Sequence, residues 1–171
     1  MRIAIAAAAL AGIALAGCQA SRQPATVAFS AEEAAFIRKP GAGVITGHAF
    51  RTRPSGTVVN AAGQVVRLVP ATGFARERFA NFYGKGKYVP HRAYPAEDAV
   101  DPGYAEYTRT TKAEANGRFT FEKVPPGSYF LTTQVIWGDE GAFTREGGSV
   151  YDSVTLTGRE TEPVHVILSG N

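Results

Sequence analysis

Cysteine is almost missing from this sequence: Cys18 is the only one in 171 residues. A single thiol excludes an internal disulfide framework and argues against a structural zinc site. The charge surplus is small as well, 18 basic against 15 acidic side chains, and implies no nucleic-acid partner. The apolar run from Ile3 to Gly17 is about fifteen residues, short of the ~20 that cross a bilayer as a helix. Also absent are a G-x-S-x-G elbow, a P-loop, a GxGxxG turn and any paired-cysteine motif. There is no internal repeat and no heptad. What is present is ordinary globular composition, 44% hydrophobic and 19% charged. That rules out a wholly disordered or collagen-like chain.

The chain opens with Met1-Arg2 and then runs apolar and small, the pattern of a secretory signal peptide. The run ends in Leu15-Ala16-Gly17-Cys18, which resembles the lipobox of bacterial lipoproteins. The resemblance implies cleavage between Gly17 and Cys18 and a diacylglyceryl group on the Cys18 thiol. It also implies acylation of the new amine. Two or three acyl chains anchor stably where one does not. Gln19 in place of aspartate implies the outer membrane of the cell envelope, facing the periplasm. An ordinary signal peptide with a chance cysteine is the competing reading. The expected organisation is a signal peptide over 1–17, a lipidated tether over 18–28 and a single domain over 29–171.

Ser30 with Glu33 forms a candidate capping box, with Phe29 placed to staple the first turn, and Pro40-Gly41 stops that short helix. Strand patterns follow at Gly43–Phe50, Thr57–Asn60 and Gln64–Val69. The last two flank Ala61-Ala62-Gly63 and read as a hairpin. After a long interruption come Tyr107–Thr111, Arg118–Glu122, Ser128–Trp137, Val150–Thr157 and Glu162–Leu168. Alternation places Phe119 with Phe121 on one buried face, and Tyr129, Leu131, Thr133 and Val135 on another. Short strands with turns every eight to twelve residues predict a β-sandwich or barrel.

The interruption, about 71–107, is proline-, aromatic- and base-rich. Phe74, Phe79, Phe82 and Tyr83 are loosely helix-spaced, with Gly84 as a stop. From Phe74 to Tyr94 one acid, Glu77, stands against Arg76, Arg78, Lys85, Lys87 and Arg92. With Tyr88, His91 and Tyr94 these make a candidate binding loop for an acidic envelope protein or anionic polymer. The alternative is that the aromatics fold inward and cap the sandwich. Glu97, Asp98 and Asp101 read as solvated acids, and His48 and His165 as surface residues of strands.

Asn116-Gly117-Arg118-Phe119-Thr120-Phe121-Glu122-Lys123-Val124-Pro125-Pro126-Gly127-Ser128-Tyr129 resembles the signature of carboxypeptidase-regulatory-like domains. Gly43–Gly47 with Val66–Pro70 looks like the first two strands of the same domain. The resemblance implies an Ig-like, transthyretin-like antiparallel sandwich of about seven strands, mainly β, with a short N-terminal helix and a long loop insertion. Such domains are commonly non-catalytic, so the expected function is a membrane-tethered binding protein without cofactor or catalytic residues. Two alternatives stand beside it. Related sandwiches include intradiol dioxygenases, which would make Tyr88, His91 and Tyr94 candidate metal ligands, but the histidine pair of those enzymes is missing. The other alternative is a purely structural envelope protein. The ending Leu168-Ser169-Gly170-Asn171 lacks the tyrosine–arginine–glycine–serine motif of transthyretin-like hydrolases.

Overall fold

The structure is a computed structural model that describes residues 26–94, 101–138 and 145–171. Gly17, Cys18 and most of the tether lie outside the described residues. Two β-sheets face each other. The first has β1 (Gly43–Thr52) at its centre, paired antiparallel with β6 (Arg118–Val124) and, through its last residues, with β2 (Val58–Asn60). Along β1 also runs β9 (Val164–Leu168), in parallel. The second sheet is antiparallel throughout, in the order β4 (Tyr88–Pro90), β8 (Glu146–Leu156), β7 (Gly127–Trp137), β3 (Val65–Pro70), β5 (Arg109–Lys112).

The described residues therefore form a mainly β sandwich, as the strand pattern predicts, with nine strands rather than about seven. Eight of them match the strand patterns read from the sequence; the ninth, β4, is a three-residue strand inside the interruption. The expected hairpin at Ala61–Gly63 does not form. β2 joins the first sheet and β3 the second, so that turn carries the chain across the sandwich. The parallel β1–β9 pair is likewise not what an all-antiparallel sandwich implies.

Inward faces meet in one core. Ile45, Ala49, Phe119, Phe121, Val166 and Leu168 of the first sheet pack on Val66, Leu68, Tyr129, Leu131, Val135 and Val150 of the second. Gly47 lies opposite Phe119. A Cβ at Gly47 would come within 2.2 Å of the Phe119 ring, so glycine there is what admits the ring. Gly117 closes the turn before β6 at φ 79°. A Cβ at Gly117 would meet the Ala49 carbonyl at 2.5 Å, so conformation and space both demand glycine.

The interruption is not a plain loop. It holds helix α2 (Gly73–Tyr83), strand β4, a 3-10 turn over His91–Ala93 and helix α3 (Pro102–Glu106). α2 starts where Thr72 accepts from the Ala75 N–H at 3.2 Å, and it ends at Gly84. Its buried stripe is Ala75, Phe79 and Tyr83 at i, i+4 spacing, with Phe74 beside it. This stripe lies on the outer face of the second sheet. Phe79 stacks on Phe130 at 4.4 Å, and Tyr83 packs on Tyr151 at 4.2 Å.

The N-terminal helix, α1 (Ala31–Ala34), is a single turn continued by a 3-10 turn to Arg38. Ser30 caps it, accepting from the Glu33 N–H. The reciprocal half of the capping box is missing: Glu33 Oε1 instead accepts from the Gly73 N–H at 2.8 Å, at the start of α2. Phe29 packs against Phe74, Tyr104 and Tyr107 rather than stapling its own helix.

Candidate functional site

The two sheets differ in what covers them. α2 and its aromatic layer cover the outer face of the second sheet. Among the described residues no such layer covers the outer face of the first sheet. Two of the three exposed large apolar side chains among the described residues stand on it, Val58 and Ile167, at 54% and 60% exposure.

Register sets what else this face presents. Directly paired residues share a face. Thr120, Thr46 and His165 therefore form one rung across β6, β1 and β9. Arg118, His48 and Ile167 form the next. These six, with Glu114 at the edge, line a groove of about 360 Å³. Its polar groups are fixed from below. Thr46 Oγ1 and His165 Nδ1 are 2.6 Å apart, which leaves Nε2 of that ring to the groove. His48 Nε2 lies 3.0 Å from Asn60 Oδ1. As placed, the carboxamide oxygen accepts, so His48 Nδ1 is left as an acceptor. The His48 ring also rests on Phe50 at 4.8 Å.

Two imidazoles, a guanidinium, a carboxylate and two hydroxyls thus surround an exposed isoleucine. Donors and acceptors alternate over a small area with an apolar floor. That arrangement holds and orients a ligand rich in hydroxyl groups. Sequence reasoning had His48 and His165 as separate strand residues. Only the pairing of β1 with both β6 and β9 brings them together.

The residues singled out from the sequence are dispersed around the other sheet. Arg76 and Lys85 are exposed on and after α2, and Arg92 is exposed beyond β4. The Arg76 guanidinium lies 6.0 Å from the Phe130 ring centre and that of Arg78 5.5 Å from Tyr104. Lys87 pairs with Asp152 at 2.9 Å. Tyr88 lies under the Arg51 guanidinium at 4.0 Å and donates to the Gly147 carbonyl at 2.9 Å, which does not fit a free phenolate ligand. His91 packs on the Tyr94 ring at 4.9 Å. The Tyr94 hydroxyl is buried beside Ser149 without forming a hydrogen bond, and burial pushes its ionisation up. Among the described residues no three His, Cys, Asp or Glu side chains gather as metal ligands. Gly17 and Cys18 lie outside those residues.

Fold and groove together define a two-sheet β-sandwich in which, among the described residues, one outer face is covered and the other open. The chain is similar to a solved structure from Pseudomonas aeruginosa that is provisionally described as a carbohydrate binding protein. The two share 27% identity and a TM-score of 0.67, over 82% of this chain and 97% of that one. No protein-family model matches the chain, and no curated protein matches it.

Proposed function

We propose that this chain is a lipid-anchored, non-enzymatic protein of the cell envelope whose sandwich binds carbohydrate in the open-face groove. The carrying observation is the groove itself, where His48, Arg118, His165 and Glu114 ring the exposed Ile167 on an uncovered sheet. Sugar hydroxyls each donate and accept, which suits imidazole nitrogens beside a guanidinium and a carboxylate. The apolar C–H face of a pyranose suits the isoleucine. The likeness to the Pseudomonas aeruginosa structure, with its provisional carbohydrate-binding description, supports the same ligand class. The signal peptide and lipobox support the address.

The test is a glycan panel probed with the Cys18→Ser chain, followed by calorimetric titration of any sugar that binds. Arg118→Ala and His48→Ala should each weaken binding about tenfold or more, the worth of one good polar contact, with melting temperature unchanged. Sugar binding that ignores both substitutions, or no binding across the panel, would reject the reading.

A further inference from the structure

The N-terminal segment is fastened to α2 before it reaches the sandwich. The Glu77 carboxylate accepts from the N–H and hydroxyl of Thr26 and from the Val27 N–H, all within 2.9 Å. Glu33 reaches back to the Gly73 N–H at the start of the same helix. The tether therefore leaves the body on the covered side, opposite the groove.

Length turns that into an orientation. The eight-residue step from Cys18 to Thr26 spans at most about 29 Å. Turning the open face toward the bilayer would carry the tether around the helix layer and both sheets. A helix packs about 10 Å above a sheet, and facing sheets lie about 10 Å apart. The detour around an edge and past the outer side chains is longer still, so the tether would be taut or too short. With α2 toward the bilayer the required span is well within that length.

Charge points the same way. Arg76, Lys85 and Arg92 are exposed on this side, and none has a carboxylate within 4 Å among the described residues. Arg67 joins them from the outer face of β3. Unpaired cations within a Debye length of an anionic leaflet are drawn to it.

We propose that the α2 side is a lipid-docking surface, seating Arg76, Lys85 and Arg92 on anionic headgroups and presenting the groove away from the membrane. This rests on the lipid-anchor reading above. It means that the ligand is met in the aqueous layer beyond the protein, not in the bilayer surface to which the protein is anchored.

Since Cys18 is the only cysteine and its thiol carries the lipid, one added cysteine makes a unique reporter. Ala80→Cys is exposed on α2 and Glu122→Cys is exposed on β6. Each lipidated variant is labelled with a fluorophore and reconstituted in phosphatidylglycerol vesicles holding a headgroup-attached quencher. Quenching should be several-fold stronger at Ala80→Cys. The contrast should shrink in pure phosphatidylcholine, and with Arg76→Glu, Lys85→Glu and Arg92→Glu combined. Equal quenching at both sites, or stronger quenching at Glu122→Cys, overturns the orientation. A contrast indifferent to lipid charge overturns the role of the cations. Mass analysis of the N-terminal peptide separates the two layers of the argument. If Cys18 bears no lipid, the anchor reading fails and this surface falls with it. If it bears lipid and the reporters do not differ, only the orientation fails.

Discussion

Glu77 holds Thr26 twice, accepting its backbone N–H at 2.9 Å and its hydroxyl at 2.8 Å through one carboxylate oxygen. The second oxygen takes the Val27 N–H at 2.8 Å. The residues are 51 positions apart, and the contact joins the end of the tether to the middle of α2.

These donors favour the charged carboxylate, so the Glu77 ionisation is shifted down, first by the Thr26 N–H and then by that of Val27. A depressed carboxylate adds stability above its unfolded value, near 4.3, and loses it as pH falls through the folded value. The clamp should therefore hold at neutral pH and open in acid below about pH 4.3. Amide exchange at Thr26 and Val27 reports it. Both amides should stay protected at pH 6 and become labile in acid. Glu77→Gln should expose them at pH 6 and remove the acid step. Amides equally protected in the variant would mean that the carboxylate is not the clamp.

The core makes a second, plainer demand. Phe121 is 3% exposed and packs edge-on to Phe119 at 6.2 Å, within the cluster that contains Tyr129. Truncation to alanine at such a site costs about 3–5 kcal/mol, a large part of the 5–15 kcal/mol by which domains are stable. Phe121→Ala should lower the urea midpoint steeply, whereas Thr120→Ala, one residue away and outward, should barely move it. Similar midpoints for the two would put Phe121 outside the core.

What could be read ahead of the structure was local. The alternation of Phe119 and Phe121, and of Tyr129, Leu131, Thr133 and Val135, located the inward faces because side-chain direction along a strand has period two. The spacing of Phe79 and Tyr83 located α2, and Gly117 located the turn. Partners at long range were not legible. Ala61–Gly63 has the chemistry of a hairpin turn, yet β2 and β3 separate, because each finds its neighbour in a different sheet. Glu33 has the spacing of a capping box, yet its carboxylate serves Gly73. The groove depends on Thr46 meeting His165 across 119 positions, and no local pattern announces a pairing set by sheet order.

A third expectation concerns hydroxyls under α2. The Tyr83 hydroxyl lies 2.6 Å from Ser149 Oγ and 2.7 Å from Thr132 Oγ1, and burial raises its ionisation despite both bonds. Deleting it leaves Ser149 without that partner in a site that water does not reach freely. Ser149 keeps the Thr133 carbonyl and Thr132 as partners, so Tyr83→Phe should cost only about 0.5–1.5 kcal/mol, the net worth of a hydrogen bond. Chemical unfolding measures this. A neutral or stabilising effect would show that the network is no tighter than solvent.

The final prediction tests the anchor. Leu15-Ala16-Gly17-Cys18 ends a short apolar run that begins after a single arginine. In this reading attachment comes from acyl chains at Cys18. One chain holds a protein to a bilayer only marginally, with K near 10⁴ M⁻¹, and a second makes retention stable. Cys18→Ser removes the thiol that carries the diacylglyceryl group, and with it both chains of that group. The variant should either leave the membrane fraction or keep its signal segment uncut, and its mass distinguishes the two. Its melting temperature after purification should match that of the wild-type body, since Cys18 belongs to the expected tether, ahead of the expected domain over 29–171. A variant cut and retained like wild type would show that residues 1–17 are an ordinary signal peptide and that Cys18 is incidental. The docking surface on α2 would then lose its anchor, while the groove on the open sheet would keep its own argument.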